Sequence, residues 1–337
     1  MKVSSSRRLG RSSISVTALS FGGAPIGNFL RPFTESEAGE MIDQAWELGM
    51  RYYDTAPLYG HGLSEHRLGH ALRERPRSDY VLSTKVGRVL HPAAPSSVDG
   101  GLWVETAPFK AVYDYSYDGI MRSVDDSLQR MLTDHVDILL MHDIDRYTHG
   151  EDQPAMFRRA LDDGFSALVK LRDEGVVAAI GFGVNEADVC TAALRQADED
   201  CVLLAGRYTL LEQEPLDELL PLCQERGVGV VLGGVYNSGV LATGPVEGAK
   251  FNYGPAPQEI LVRATRLWEI CREYDVPLPA AALQFAAAHP AVASVCVGSR
   301  SQQQQRNSAA WFEADIPGEL WQDLRAAGLI RADAPTP

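Results

Sequence analysis

The sequence predicts an α/β fold, a (β/α)8 TIM barrel with an N-terminal β-hairpin and a long loop after the third strand. Three observations predict it: short β-type runs alternate with longer amphipathic segments along the whole chain, eight such runs occur, and nearly all their residues are apolar. Alternation marks parallel strands joined by crossover helices, and apolar strands suit a sheet covered by helices. The runs are VTALSFG (16–22), RYYD (51–54), YVLSTK (80–85), VDILLMH (136–142), VAAIGFG (177–183), CVLLAG (201–206), VGVVLGG (228–234) and ASVCVG (293–298). Between them, segments such as TESEAGEMIDQAWELG, SYDGIMRSVDDSLQRMLT and EILVRATRLWEICREYD carry apolar residues at helical spacing and end on polar caps or Gly/Pro stops. An open doubly wound sheet would want a GxGxxG turn after its first strand, and FGGAPIG lacks that spacing.

Two further segments fit as decorations. LGRSSISV (9–16), with turn residues between apolar ends, is expected to form a hairpin that plugs the barrel floor. Residues 87–116, rich in Pro, Gly and aromatics, leave the C-terminal end of the third strand. They should overhang the face where barrel enzymes carry their active sites.

A chain of 337 residues fits a single barrel domain spanning 1–337. With 45% hydrophobic and 23% charged residues, it has no composition for a large disordered part. Its formal charge of −14 argues against nucleic acid or an anionic membrane as the main partner; a small molecule is expected instead. No apolar stretch suits a signal peptide or a membrane span, so a cytoplasmic location is expected. The five cysteines (Cys190, Cys201, Cys223, Cys271 and Cys296) lack CxxC spacing and sit mostly in apolar runs, as buried hydrophobes do; no metal site is expected.

The C-terminal ends of the second, third and fourth runs carry Asp54, Lys85 and His142, and Tyr59 follows Asp54 in the next turn. In a barrel these four converge on one rim. A carbonyl receiving a hydride develops alkoxide charge, which needs a proton donor and nearby positive or hydrogen-bonding groups. Tyr59 can supply the proton. Its ordinary pKa near 10 is high for that task, and an adjacent Lys85 ammonium, held by Asp54, is expected to lower it. His142 can orient the oxygen from the other side.

The combination DTAPLYGHGLSEHRLGHAL, LSTKVG and LLMHDID strongly resembles the aldo-keto reductases, over about residues 8–330. The resemblance implies an NAD(P)-dependent barrel with Asp54, Tyr59, Lys85 and His142 as catalytic tetrad. It also implies that GSRSQQQQRN (298–307) holds the adenosine end of the cofactor through Gly298, Ser299, Arg300, Gln304 and Asn307, next to Gly22. This segment is one residue shorter before Asn307 than the family spacing. Arg300 is free to meet a 2′-phosphate and the segment contains no acid to repel one, which tilts the expectation slightly from NAD to NADP. GGVYNSGVLATG (233–244) resembles the loop that covers the pyrophosphate, giving Tyr236, Asn237, Ser238 and Gly239 as cofactor residues, and Asn185 matches the asparagine that holds the carboxamide. Gly233, Val184 and Ala205 depart from the family's aromatic, serine and glutamine, and Tyr236 is expected to replace the missing aromatic packing.

AGRYTLLEQ, FGGAPIGN, GGVYNSGVL, FNYGPAP and PLPAAALQFAAAHPAVASV resemble one subgroup, the D-threo-aldose 1-dehydrogenases, which shade into L-fucose, L-galactose and pyridoxal 4-dehydrogenases. The implied reaction is oxidation of the anomeric hydroxyl of a free sugar to its lactone. Asn28, His61, Trp103, Asp143 and Tyr253, with Asn252, are the expected substrate contacts. Three other readings remain: a general aldehyde/ketone or pyridoxal oxidoreductase of the same fold, a metal-dependent hydrolase using Asp54, His142, Asp143 and Asp145, and a non-catalytic nicotinamide-binding redox sensor.

Overall fold

The computed structural model describes residues 1–337. Eight parallel strands close into a barrel: β1 (Leu19–Gly22), β2 (Tyr52–Asp54), β3 (Val81–Val86), β4 (Ile138–His142), β5 (Ala179–Val184), β6 (Cys201–Ala205), β7 (Gly229–Gly233) and β8 (Val292–Val297). Each coincides with a run expected from the sequence, although β3 and β5 continue one residue past the expected end, at Val86 and Val184, and β8 starts one residue early, at Val292; helices follow them around the outside. The larger apolar core lies between strands and helices; residues such as Phe21, Tyr53, Leu139 and Ile180 face it.

Side chains alternate along a strand, so every second residue points into the barrel. On β2 these are Tyr52 and Asp54; on β3 Val81, Ser83 and Lys85; on β4 Ile138, Leu140 and His142. Register then levels the rim: Gly22 pairs with Asp54, Asp54 with Ser83, Lys85 with Leu140, and His142 with Gly183. Asp54, Lys85 and His142 are thus the last inward positions of three adjacent strands.

The floor is closed as the sequence suggests. Ser6–Arg8 pairs antiparallel with Ser15–Thr17, and Leu9, Ile14 and Val16 enter the lower barrel beside Tyr52, Ile138, Leu140, Ala179 and Leu203. The turn is tight at Gly10 (φ +56°), where a Cβ would lie 2.3 Å from the backbone nitrogen of Gly229. All five cysteines are free and buried, and no helix is long and apolar enough to cross a membrane.

The long segment after β3 is largely ordered by its own pairing. Arg88–Pro92 and Phe109–Tyr113 form an antiparallel hairpin, and an isolated bridge joins Phe29 to Trp103 in the intervening loop.

Candidate active site

Lys85 is buried and its ammonium is saturated. It donates to both carboxylate oxygens of Asp54 at 2.7 Å and to the Thr55 carbonyl at 2.9 Å. Asp54 also accepts from Ser83 Oγ (2.6 Å), which in turn meets the Tyr52 hydroxyl at 3.0 Å. Room for the lysine stem comes from across the barrel: a Cβ on Gly183 would sit 3.1 Å from Lys85 Cε. The GLSEHR helix braces this centre from behind. Ser64 Oγ donates to the Gly23 carbonyl and shares a hydrogen bond with Thr55, while Glu65 accepts from Thr84 and Arg130.

Tyr59 reaches in from the turn after β2. The Lys85 ammonium lies 5.4 Å from the centre of its ring, and the His142 ring meets it edge-on with centroids 6.1 Å apart. The four expected residues therefore do meet at one mouth. Burial, then the charges of Asp54 and Asp143, push the Tyr59 phenol well above its usual value near 10, opposite to the direction expected from Lys85. Asp54 neutralises the ammonium that was expected to act on it. Burial, with the cations Arg88 and Lys85 nearby, holds His142 well below the ordinary histidine value, so its ring is neutral near pH 7.

The segment after β3 supplies two contacts to this group. Trp103 stacks on Tyr59, with centroids 5.1 Å apart at an interplanar angle of 26°, and Phe29 and Tyr253 continue an aromatic wall at 5.1 and 5.9 Å. Arg88, buried, places Nη1 2.9 Å from His142 Nδ1 and donates from Nη2 to Asp143 Oδ2 (2.6 Å) and the Tyr113 hydroxyl (2.8 Å). Sequence reasoning missed Arg88 and Phe29. Arg88 stands three residues after Lys85, just past the strand end, where a single arginine gives no periodic signal.

Among the expected substrate contacts, Trp103, Asp143 and Tyr253 surround the mouth. Asn28 does not present its amide there: Oδ1 accepts from Phe33 N and Arg67, and Nδ2 donates to the Glu105 carbonyl, so it ties loops together. His61 Nδ1 is spent on the Phe109 carbonyl at 2.6 Å, which anchors the hairpin, and Asn252 Oδ1 accepts from Arg207. Each thus commits one polar atom to holding its loop, as a polar side chain in a loop that leaves a strand end often does.

The cofactor side is also assembled. A Cβ on Gly22 would lie 3.2 Å from Gly298 N, so the ends of β1 and β8 are held close. Ser301 caps the helix Gln302–Glu313, Gln304 Oε1 accepts from Arg300 N, and Asn307 accepts from Gln303; Ser299 is buried beside them. Asn185 Nδ2 approaches Asp143 Oδ1 at 3.4 Å. Ser238 and Gly239 are at positive φ, and Ser238 Oγ accepts from Tyr253 N. Tyr236 turns to Ser308 instead (3.2 Å), packing against the last helices rather than supplying the aromatic expected near the rim. Asn237 donates to Glu212 and to the Gly206 carbonyl while its buried Oδ1 has no partner, an open acceptor that suits a ribose or amide donor. The last inward positions of β6 and β7 are Ala205 and Gly233, and a Cβ on Gly233 would make only ordinary contacts, the nearest at 3.6 Å. Small residues there leave space for a flat ring, so the site fits a nicotinamide nucleotide.

A donor set for a metal is not assembled. Asp54 is occupied by Lys85, and Asp145 accepts from Thr148 N and Asn185 N; no three metal-ligating side chains cluster. This removes the observation on which a hydrolase would rest.

Residues 18–328 match the family model described as the aldo/keto reductase family. The chain belongs to that family. This aldo-keto reductase is an oxidoreductase, and members of the family use NAD(P)H. It is 47% identical to a pyridoxal 4-dehydrogenase of Microbacterium luteolum, covering 98% of this chain and 99% of that one. It is 42% identical to a D-threo-aldose 1-dehydrogenase of a Pseudomonas species, with 96% of both covered. The holo form of an aldo-keto reductase from Bacillus halodurans superposes with a TM-score of 0.75 at 29% identity, over 99% of this chain and 98% of that one.

Proposed function

We propose that this reductase oxidises the anomeric hydroxyl of a free aldose of the L-fucose, L-galactose or D-threo type, in its cyclic hemiacetal form, to the lactone. The observation that carries the reading is the mouth itself: Tyr59 between the Asp54–Lys85 pair and His142, roofed by Trp103, with the Asp143 carboxylate at its edge. A hydroxyl-rich ring needs acceptors for its donors and a flat surface for its C–H face, and Asp143 with the Trp103, Phe29 and Tyr253 wall offers both. Nicotinamide, bound oxidised, supplies a positive ring and the hydride acceptor. Tyr59 acts as the base only as phenolate: its own proton leaves to solvent beside that positive ring, its oxygen then takes the hydroxyl proton, Lys85 and Asp54 fix the electrostatics at its base, and His142 holds the same oxygen from the far side.

Pyridoxal is the second reading, favoured by the 47% identical relative. It closes onto its own hydroxymethyl group to give a hemiacetal, so the bond oxidised is the same. For the cofactor, NADP fits better than NAD because the Arg300 guanidinium is exposed and makes no ion pair. Glu40, which accepts from Gln302 at 2.9 Å, is the group that opposes a 2′-phosphate. Free buried cysteines suit a reducing compartment, in keeping with a cytoplasmic enzyme. The chain is read as one barrel domain.

The test is absorbance of the reduced nicotinamide formed from a panel of free aldoses and pyridoxal, each with NAD and with NADP. Turnover of at least one hemiacetal is expected, with lactone as product. Cofactor binding without turnover across the whole panel would favour the redox-sensing role over catalysis.

A further inference from the structure

We propose that Arg88 is a positioning residue that fixes the tautomer of His142, leaving its only ring proton on Nε2. The argument is chemical. A guanidinium has donors and no acceptor, so at 2.9 Å from Arg88 Nη1 the His142 Nδ1 must present its lone pair. In a neutral imidazole the proton then sits on Nε2, the nitrogen on the side of Asp143 (3.5 Å to Oδ2).

That assignment decides where the substrate proton goes, and here the inference rests on the proposed oxidation. A hydroxyl oxygen accepts hydrogen bonds and gives one proton. With Nε2–H facing it, His142 donates to the oxygen and leaves the proton to the Tyr59 phenolate. With the other tautomer, the Nε2 lone pair would compete with Tyr59 for that proton and direct the hydroxyl wrongly.

A second nitrogen of the same guanidinium keeps Asp143 from undoing this. Arg88 Nη2 engages Asp143 Oδ2 at 2.6 Å, holding that carboxylate, which would otherwise draw a second proton onto His142. The charged and titratable groups facing His142 are Arg88 and Lys85 on the positive side, Asp143 on the negative side, and the phenols of Tyr59, Tyr113 and Tyr115, the last donating to the His142 carbonyl at 2.8 Å. Only Asp143 favours the imidazolium, and Arg88 offsets it directly. Arg88 is itself held by the Tyr113 hydroxyl and the face of its ring, 4.4 Å away, so the hairpin after β3 sets its place.

The experiment is nitrogen NMR of protein labelled with 15N-histidine, with the His142 signals identified by their loss in His142→Gln. The unmodified protein is expected to show a protonated Nε2 and an unprotonated Nδ1, unchanged between about pH 5 and pH 8. In Arg88→Met the ring should titrate within that interval and turnover should fall on the order of 100-fold, with cofactor affinity kept. Protonated Nδ1 in the unmodified protein overturns the proposal without any variant, so a poorly folding Arg88→Met leaves the test intact. Unchanged spectra and turnover in a folded Arg88→Met also overturn it. The spectra need no substrate: if no hemiacetal is oxidised the functional reading falls, while the tautomer stands or falls on the nitrogen shifts.

Discussion

At the floor of the barrel Leu9, Ile14 and Val16 pack on Tyr52, Ile138 and Leu140; at the mouth the same inward faces of β2 and β4 end in Asp54 and His142. One inward step, about 7 Å along a strand, separates an apolar plug from a charged centre. The backbone differs as well. Apart from Leu132 and Asp275, every non-glycine residue at positive φ lies in a loop on the mouth side, among them Asn28, His61, Asp143, Asn237, Ser238 and Tyr253. The lower part of the barrel is ordinary packing that stores stability. The upper part uses buried charge and unusual backbone to hold reactive groups, so damage to the two ends should have different signatures.

The sharpest expected difference comes from Tyr59→Phe. It removes one oxygen and leaves the ring on Trp103, so turnover should drop about 10³-fold or more while folding and nicotinamide binding persist. Cofactor titration alongside steady-state rates checks it; activity within tenfold of the parent would take Tyr59 out of the proton path.

The mirror experiment is at the floor. Leu9 is fully buried in the plug cluster, and Leu9→Ala should cost about 2 to 5 kcal/mol of unfolding free energy. At a temperature where the variant stays folded, its KM and kcat should match the parent. A changed kcat with little loss of urea resistance would mean that floor and mouth are coupled.

How much of each end could be read in the sequence follows from the same contrast. The eight strands and the Leu9–Val16 plug announce themselves because apolar runs and period-two alternation are local properties. Asp54, Lys85 and His142 were legible at the C-terminal ends of their strands. Arg88 was not, because its role depends on a hairpin whose pairing with Phe109–Tyr113 spans a long loop, and a lone arginine after a strand carries no periodicity. Asn28 misled for a related reason: its loop position suggested ligand contact, but its amide is consumed by Phe33, Arg67 and Glu105, while His61 commits one ring nitrogen to the Phe109 carbonyl. The Asp54–Lys85 pair was expected, but its effect on Tyr59 was not: burial and the Asp54 and Asp143 charges outweigh the paired ammonium, and the depth at which the phenol sits is not a local property of the sequence.

Glu199 is where the floor breaks its own pattern, and it gives the smallest of these effects. It sits just before β6, 1% exposed, and neither carboxylate oxygen has a hydrogen-bond partner. Arg11 of the plug reaches only its backbone carbonyl, at 3.2 Å, and forms its ion pair with Asp198. Burial raises Glu199 from 4.5 to about 7, with the neighbouring Arg226 and Arg11 only partly opposing it. Between these values the folded chain keeps a proton that the unfolded chain releases. Stability from this group is therefore full below pH 4.5 and is lost as pH rises to 7, by at most about 3 kcal/mol. Glu199→Gln keeps the shape without the charge. It should match the parent in urea midpoint near pH 4.5, exceed it at pH 8, and leave kcat alone. Parallel midpoint curves for the two proteins from pH 4.5 to pH 8 would show that the carboxyl finds a partner or water, and that the floor has no electrostatic cost at neutral pH.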